Sequence, residues 1–386
     1  MESPVFSFIR QKRKPEHRKF ADIFRIEVRG DQGERVVAAG ERREGQEAER
    51  PARPAGGGAA RGAGEGQDTA RGAAARRKDE GTPLVLRNLA TGAEQRFADV
   101  MAFAFTEKGE WLVYTASNKD GSADGVYAVR TETGEASPLL TGQGKYTQLA
   151  LSDDGAQVAF VSNRDDWAAE EPAVTLYHAR LGQGEARPVA TQGTAGIPDG
   201  WWVREGGSLS FSDQGTRLFF ETAPRPPAAP KDTVPEDERV VLDVWNWKDP
   251  LIQPMQLVQA DRERNRGYRA YASTQDGRVV QLATPEIPDL TLFQGGEGKL
   301  AVGSASQKYG WWVSHDGTYR DVYLVDMATG KADLVKEFDP NGAGSFSPGG
   351  RYLSWWDGVA KAWMVMDLQT RAVRDLSSAL PFPVHD

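Results

Sequence analysis

The chain has 386 residues, of which 26% are charged, and its formal net charge is −8. A nucleic-acid-binding protein needs a basic stripe, so this charge balance does not predict a nucleic-acid partner. The absence of cysteine excludes a disulfide framework and thiolate chemistry, but it leaves the cellular compartment open.

The N-terminal segment, residues 1–36, has no apolar core behind a basic end. No window of the chain approaches the apolar length that crosses a membrane. The sequence therefore predicts neither a signal peptide nor a membrane span. A weak strand or helix pattern at residues 20–28 (FADIFRIEV) would allow this segment to form part of a first β-sheet.

Residues 37–81 are rich in glycine, alanine and arginine and contain almost no branched or aromatic side chain. Such a segment cannot bury enough apolar surface to offset its ordering entropy, so we predict a disordered loop. An RNA-binding tail is the alternative. Acidic residues alternate with the arginines and no aromatic residue lies between them, which favours the solvated loop.

From residue 82 onward, a ten-residue pattern recurs with apolar residues at its first, eighth and tenth places and glycine at its fifth. Apolar residues that alternate around a glycine-centred polar turn predict a β-hairpin, because the turn needs a positive φ and the strands need a period of two. The four copies are FTEKGEWLVY (105–114), LSDDGAQVAF (151–160), FSDQGTRLFF (211–220) and FSPGGRYLSW (346–355).

A second pattern ends a strand and turns it back. Its copies are LRNLATG (86–92), AVRTETG (128–134), LVDMATG (324–330) and VMDLQTR (365–371). The two patterns alternate with a period of about 40–45 residues, which is the repeat length of a β-propeller. The predicted fold class is therefore all-β, a β-propeller built of four-stranded antiparallel blades over residues 82–386.

The number of blades follows from the repeats. Blade starts occur at Phe105, Leu151, Phe211, Phe293 (a degenerate copy) and Phe346, and an earlier blade ends near Phe97. We therefore expect five complete blades and a partial N-terminal one. The proline-rich stretch 222–238 is predicted to leave its sheet as an insertion, since proline cannot donate to a strand ladder.

Three tryptophan pairs punctuate this region. Adjacent residues on a strand point to opposite faces, so each pair is predicted to fill the layers on both sides of a blade. A ligand-stacking platform is the alternative. The pairs are Trp201–Trp202, Trp311–Trp312 and Trp355–Trp356.

Hydrolase and metal signatures are missing from the sequence. There is no G-x-S-x-G motif; the stretch Gly206–Ser210 lacks the second glycine and leads into a predicted strand. The histidines have no zinc-ligand spacing. Asp120–Gly125 resembles the start of a calcium loop, but Thr131 at the twelfth place cannot act as a bidentate ligand. We predict no catalytic residue, no metal and no cofactor. The histidines are His17, His178, His315 and His385.

Two longer stretches narrow the family. They are GIPDGWWVREGGSLSFSDQGTRLFFETAPRP (196–226) and DVWNWKDPLIQPMQLVQADRERNRGYRAY (243–271). Both resemble the propeller of bacterial prolyl oligopeptidase-like serine peptidases, of the dipeptidyl and acylaminoacyl peptidase type. The resemblance covers about residues 82–386, and the Trp-Asn-Trp-Lys-Asp-Pro stretch is its most specific part.

The resemblance implies a propeller of about seven blades in the parent family and an α/β-hydrolase domain C-terminal to this chain. It also implies a peptide substrate and a size filter that admits peptides and excludes folded proteins. No catalytic residue carries over, since the matched region lacks the hydrolase signature. Relatives are often periplasmic or secreted, whereas this sequence leaves the localisation unknown.

The resemblance also suggests substrate-binding residues. In dipeptidyl peptidases a tryptophan followed by paired glutamates captures the substrate ammonium group, and Trp167, Glu170 and Glu171 have that outline. A solvated inter-strand loop is the alternative. Four further residues could face peptide carboxylates, with surface salt bridges as the alternative for the arginines. They are Arg264, Arg266, Tyr268 and Arg269.

Two other functions stay open at this point. One is a free-standing interaction propeller comparable to WD-repeat scaffolds or to the Tol-system periplasmic propeller. The other is a carbohydrate-active propeller, which would need paired acidic residues that the sequence does not show in a recognisable frame.

Overall fold

The computed structural model describes most of the chain from residue 79 onward, together with two earlier strands. The predicted boundaries at residues 36 and 81 stay predictions, because residues 37–78 lie outside the described part. Most of the predicted insertion also lies outside the described part, as do His17, Glu170 and His385, so the predictions about these residues stay predictions. The described residues are 24–29, 34–36, 79–89, 91–169, 171–225, 245–246, 248–313, 315–340, 344–382 and 384.

The regular structure of the described residues is almost entirely β-strand, with one α-helix, α1 (Gln253–Arg264), and short 3-10 helices. In chain order the strands are β1 (Phe24–Arg29), β2 (Glu34–Val36), β3 (Thr82–Asn88), β4 (Glu94–Phe105), β5 (Trp111–Ala116), β6 (Gly125–Arg130), β7 (Ala136–Thr141), β8 (Tyr146–Leu151), β9 (Gln157–Ser162), β10 (Thr175–Arg180), β11 (Arg187–Ala190), β12 (Trp201–Val203), β13 (Ser210–Phe211), β14 (Arg217–Pro224), β15 (Tyr268–Ser273), β16 (Val279–Gln281), β17 (Asp289–Thr291), β18 (Leu300–Ala305), β19 (Arg320–Asp326), β20 (Ala332–Asp339), β21 (Ser345–Phe346), β22 (Tyr352–Asp357), β23 (Ala362–Asp367) and β24 (Val373–Asp375).

The chain divides into two compact units, and β4 contributes residues to both. The first unit comprises residues 1–101 and 116–123. Its strands follow the order β2-β1-β3-β4, all antiparallel. The backbone of Ser117 closes this unit, because its carbonyl accepts from Gly81 N–H and its own N–H donates to the Asp99 carbonyl, each at 2.8 Å.

The second unit, residues 102–115 and 124–386, consists of five consecutive antiparallel sheets. The first is formed by β4–β7, which continue the strand order β2-β1-β3-β4 within one seven-stranded sheet. The others contain, in chain order, β8–β11, β12–β16, β17–β20 and β21–β24. In the third sheet, β12 and β13 both pair with β14 and together replace a single first strand. The predicted all-β fold of four-stranded antiparallel units is confirmed.

Each sheet of the second unit packs against the next one in chain order. Val126 of the first sheet and Phe160 of the second share one buried cluster, and Leu176 of the second shares another with Leu218 of the third. Further clusters join the third sheet to the fourth and the fourth to the fifth. Small sheets that stack face to face in sequence form a β-propeller.

The glycine turns adopt the predicted conformation. Gly109, Gly155, Gly215 and Gly350, at the fifth place of the first repeat, have φ angles of 72°, 70°, 66° and 66°. The last glycine of the second repeat is also left-handed; where the sequence has Arg371 instead, its φ is 59°. The backbone of both repeats thus requires a positive φ, which glycine adopts without strain.

These turns gather at one end of the sheets, which we name the glycine-turn end. The Gln157 side-chain amide donates to the Gly215 carbonyl of the next sheet at 3.1 Å. Asp213 N–H donates to the Gly295 carbonyl at 2.9 Å. The opposite end, the long-loop end, carries the longer connections of the second, third and fourth sheets, which antiparallel geometry places away from the glycine turns. The described parts of these connections are residues 163–169, 171–174, 225, 245–246, 248–267, 306–313 and 315–319.

A pair of alanine substitutions tests whether close approach at the glycine-turn end stabilises the fold. A Cβ at Gly330 (φ 73°) would lie 2.2 Å from the Gln281 carbonyl oxygen of the third sheet, whereas a Cβ at Gly92 (φ 74°) would meet nothing within 4 Å. We expect Gly92→Ala to lower the free energy of unfolding by about 1–2 kcal/mol through backbone strain alone. Gly330→Ala should cost at least about 1 kcal/mol more, because the clash adds to the same strain. Urea denaturation of both variants measures the difference, and equal losses would contradict the role of inter-sheet contact.

Candidate functional site

Four aromatic rings meet at the long-loop end of the fourth sheet, and we name them the aromatic platform. Tyr309 and Trp312 come from a 3-10 helix, Gln307–Trp312; Tyr319 precedes β19, and Phe338 lies near the end of β20. The rings of Tyr319 and Phe338 are stacked, with centroids 3.9 Å apart. Trp312 meets Phe338 edge-on at 5.4 Å, and Tyr309 does so at 5.2 Å.

The platform is open to solvent. Trp312 is 46% exposed, its neighbour Trp311 is 48% exposed and Phe338 is 40% exposed. The prediction that the Trp311–Trp312 pair lies on a strand and fills inter-blade layers is wrong, because both residues lie on the 3-10 helix. Trp201–Trp202 on β12 and Trp355–Trp356 on β22 are strand pairs, and Trp355 is buried.

Phe338 has a φ of 53°, a left-handed conformation that a bulky residue rarely adopts. The irregular pairing of β19 with β20 accommodates it. The Phe338 N–H donates to Asp321 Oδ1 and to the Tyr309 hydroxyl oxygen, each at 3.2 Å. Strain of this kind persists only where surrounding contacts hold it, and it clusters at functional sites.

Asp321 anchors the platform from below. Its side chain is buried and accepts hydrogen bonds from Lys308 Nζ and the Tyr309 hydroxyl, each at 2.5 Å. Burial opposes ionisation of this carboxyl, but the hydrogen bonds from Lys308, Tyr309 and Phe338 N–H outweigh it and lower the pKa of Asp321. The paired charge therefore fixes the 3-10 helix and Phe338 to the same sheet.

Further apolar side chains are exposed on the neighbouring connection of the third sheet. None of the residues of α1 is buried, and Leu257 and Val258 are exposed. The loop before α1 contacts the 3-10 helix, because a Cβ on Gly310 would lie 2.9 Å from Pro250 Cβ. The long-loop end thus presents apolar residues on two adjoining connections.

Glu171, predicted as a substrate-binding residue, lies beside Arg225. Its carboxylate is 3.5 Å from the Arg225 guanidinium, which also lies over the Trp202 ring at 5.6 Å from the centroid. Arg225 therefore neutralises the negative charge of Glu171, which a substrate ammonium group would need for binding. Glu170 lies outside the described residues.

The predicted arginines face carboxylates of their own chain. Arg264 pairs with Asp261 at 3.1 Å. Arg266 pairs with Glu263 at 2.6 Å and lies 3.7 Å from Asp289.

Tyr268 and Arg269 are consecutive residues of β15. The Tyr268 ring packs against Trp201 with centroids 5.0 Å apart. Arg269 is the cross-strand partner of Glu221 on β14.

The His178 ring contacts its own chain, whereas His315 is exposed and contacts the chain through its backbone. His178 Nε2 lies 2.9 Å from the Gln157 amide oxygen, and burial together with the Arg180 charge lowers the pKa of His178. His315 N–H donates to the Trp312 carbonyl at 3.0 Å. Among the described residues, no group of three His, Cys, Asp or Glu side chains is arranged to hold a metal ion, and no helix is long and apolar enough to cross a membrane.

Comparison with known proteins gives loose structural likenesses alone. No protein-family model and no curated protein matches the sequence. TolB from Acinetobacter baumannii superposes with a TM-score of 0.30 and 13% identity, over 76% of this chain and 59% of TolB, so this chain spans less than two thirds of that protein. The β-propeller domain of the Trilobed protease from Pyrococcus furiosus superposes with a TM-score of 0.34 and 10% identity, over 78% of this chain and 77% of that domain. An oligogalacturonate lyase from Vibrio parahaemolyticus superposes with a TM-score of 0.31 and 12% identity, over 76% of this chain and 84% of the lyase. Likenesses of this size transfer neither a site nor an activity.

Replacing Asp321 tests whether its buried charge holds the platform. Asp321→Asn should lower the free energy of unfolding by about 1–3 kcal/mol at neutral pH, because Lys308 loses the closer of its two carboxylate partners, keeping Glu337 at 3.5 Å, and a buried acceptor is weakened. The folded pKa of Asp321 lies below the unfolded value, so its stabilisation is complete above the unfolded pKa and is lost as the pH falls through the folded one. The difference in the free energy of unfolding between wild type and variant should therefore become smaller below about pH 4.

Urea denaturation at a series of pH values measures this gap. Asp333→Asn is the matched control, because that carboxylate is 74% exposed and pairs with Arg371 at the surface. Its effect should stay within about 0.5 kcal/mol. A gap for Asp321→Asn that does not change with pH would contradict the assignment.

Proposed function

We propose that this chain is the non-catalytic β-propeller of a prolyl oligopeptidase-like serine peptidase and filters peptide substrates by size. The observation that carries the proposal is the exposed apolar surface at the long-loop end, on a framework of packed sheets. In this proposal the active site belongs to the α/β-hydrolase domain that the sequence resemblance implies. The chain supplies a wall that unfolded peptides pass and folded proteins do not.

The chemistry of the surface supports binding of polypeptide. Tryptophan and tyrosine provide large contact areas at a low cost in side-chain entropy, and they dominate the energetics of protein interfaces. Exposed apolar patches on soluble proteins mark interaction sites. Trp312 of the aromatic platform and its neighbour Trp311 are exposed in this way, and Asp321 holds their 3-10 helix in a defined position.

The hydrogen bonds of the described residues support a non-catalytic role. A serine nucleophile needs a base within hydrogen-bond reach. The hydroxyl of Ser208, in the stretch nearest to a nucleophile motif, instead donates to Glu221 Oε1 at 2.9 Å. His178 Nε2 is occupied by the Gln157 amide.

A free-standing interaction scaffold is the second candidate, and one observation favours it. Four buried clusters join successive sheets of the second unit, and side chains of this chain fill all four. A unit with cores of this kind does not require a hydrolase domain to bury its apolar surface. In that case the same apolar surface would bind a folded partner protein.

Peptide binding at the platform tests the proposal. We expect the purified chain to bind a fluorescently labelled, unstructured peptide rich in leucine and proline, measured by fluorescence anisotropy. Trp312→Ala should weaken binding about tenfold, because a central aromatic anchor contributes about 1–2 kcal/mol or more. A folded protein of similar composition should not compete with the peptide.

Tyr352→Ala is the matched control, because Tyr352 is 38% exposed but begins β22 directly after the Gly350 turn, at the glycine-turn end of the fifth sheet. It should leave peptide affinity unchanged. Equal losses in both variants, or no saturable binding, would contradict the proposal. If the folded protein competes with the peptide, the surface does not select by size, and the interaction scaffold is favoured over the size filter.

A further inference from the structure

A cavity of about 760 Å³ lies between the second and third sheets. Residues of β10 and β11, with the turn between them, line one wall, and residues of β14 and β15 line the other. The volume falls within the range of roughly 300–1,000 Å³ that small-molecule sites occupy. The turns Gly182–Glu185 and Thr274–Gly277 border it, so it lies toward the glycine-turn end, away from the aromatic platform.

Two arginines supply positive charge to this cavity. Arg180 lies two residues after His178 on β10, so both side chains are on the same face of the strand. Arg187 is the cross-strand partner of His178 on β11, which places its side chain on that face too. All three line the cavity. The register of one hairpin therefore brings two guanidinium groups to one wall.

Neither guanidinium group forms a salt bridge in the part of the chain that the structure describes, although the Asp154 carboxylate lies near enough to Arg180 to interact with its charge. No carboxylate oxygen of the described residues lies within 4.0 Å of Arg180 or Arg187. By contrast, Arg204 and Arg225 on the third sheet and Arg266 before β15 each have a carboxylate within that distance. In a chain of net charge −8, two arginines without a salt bridge in one concavity have hydrogen-bond donors left to bind a carboxylate, which the planar guanidinium fork matches in geometry.

The same cavity holds one negative charge and an apolar wall. Glu185 lies in the turn before β11 and has no ionic partner within 4.0 Å among the described residues. The partly exposed Val189 supplies the accessible apolar part of the lining; Leu218 and Ala272 lie behind it and are each only 1% exposed. A ligand that fits this lining carries a carboxylate, a cationic group and an aliphatic body.

His178 shapes the wall without adding charge. The Gln157 amide nitrogen donates to the Gly215 carbonyl, which assigns its oxygen to face His178 and makes the ring Nε2–H the donor. The ring packs against Phe211 at 6.0 Å. Because burial and the Arg180 charge lower the pKa of His178, the ring is neutral at pH 7, and the positive charge comes from the arginines.

We propose that this cavity binds a small zwitterionic ligand, a free amino acid or a dipeptide with an aliphatic side chain. Arg180 and Arg187 bind its carboxylate, and Glu185 binds its ammonium group. The aliphatic side chain lies against the apolar wall. The site is independent of the aromatic platform, so it stands whether or not the proposed function holds.

Isothermal titration calorimetry with alanyl-leucine and two blocked forms tests the charges on the ligand. The free dipeptide should bind saturably. Its C-terminal amide should bind at least about tenfold more weakly, because the arginines lose their carboxylate. The N-acetyl form should also bind more weakly than the free dipeptide, because Glu185 loses its partner. Equal affinities for all three forms, or no binding of the free dipeptide, would overturn the proposal.

Variants of the exposed side chains test the charges on the protein. Arg187→Ala should weaken the free dipeptide by about tenfold, whereas Arg374→Ala, at an exposed position of the last strand of the fifth sheet, should not change its affinity. Glu185→Gln should weaken binding of the free dipeptide but leave the affinity for the N-acetyl form unchanged. This pattern separates a direct contact from a general loss of structure. Trp312→Ala should bind the dipeptide like wild type. Any of these variants that behaves otherwise would contradict the assigned contact.

Discussion

The close approach of consecutive sheets at their glycine turns is the constraint on which the second unit depends. A Cβ on Gly155 would lie 3.1 Å from Thr106 Cβ of the preceding sheet, and one on Gly215 would lie 2.5 Å from the Gln157 amide nitrogen. Each sheet is too small to bury its own faces, so it must stack on its neighbours. Glycine meets two demands at these positions: a left-handed backbone and no side chain between the sheets.

This constraint leaves the two ends of the sheets with different freedom. At the glycine-turn end, hydrogen bonds such as Gln157 to Gly215 tie one sheet to the next, so the turns stay short. The connections at the opposite end do not have to meet such a spacing. They can lengthen into the 3-10 helix Gln307–Trp312 and into α1, where exposed apolar residues such as Trp312 and Leu257 lie. Propellers and other β-folds carry their functional residues on variable loops at one end of a rigid scaffold.

Ion pairing separates the surfaces of this unit by role. Glu171 and Asp321 each have a basic partner, so their charges hold loops in place. Arg180 and Arg187 line a cavity and form no salt bridge within 4.0 Å among the described residues, although the Asp154 carboxylate interacts with the Arg180 charge over a longer distance. An unpaired charge in a concave site retains its capacity for a ligand, whereas a paired one has already used it for structure.

The sequence by itself determined the repeating unit, because hairpin turns and strand alternation are local. The fifth-place glycines predicted the left-handed turns, and even Arg371 adopts the conformation that its repeat position requires. Tertiary structure decided the sites, because they depend on which side chains meet across sheets and loops. The aromatic density of residues 306–319 was the one available signal for the platform, yet nothing local revealed that Phe338 would stack on Tyr319. Likewise, only the strand register brought Arg187 beside His178, and only the fold placed Arg225 on Glu171.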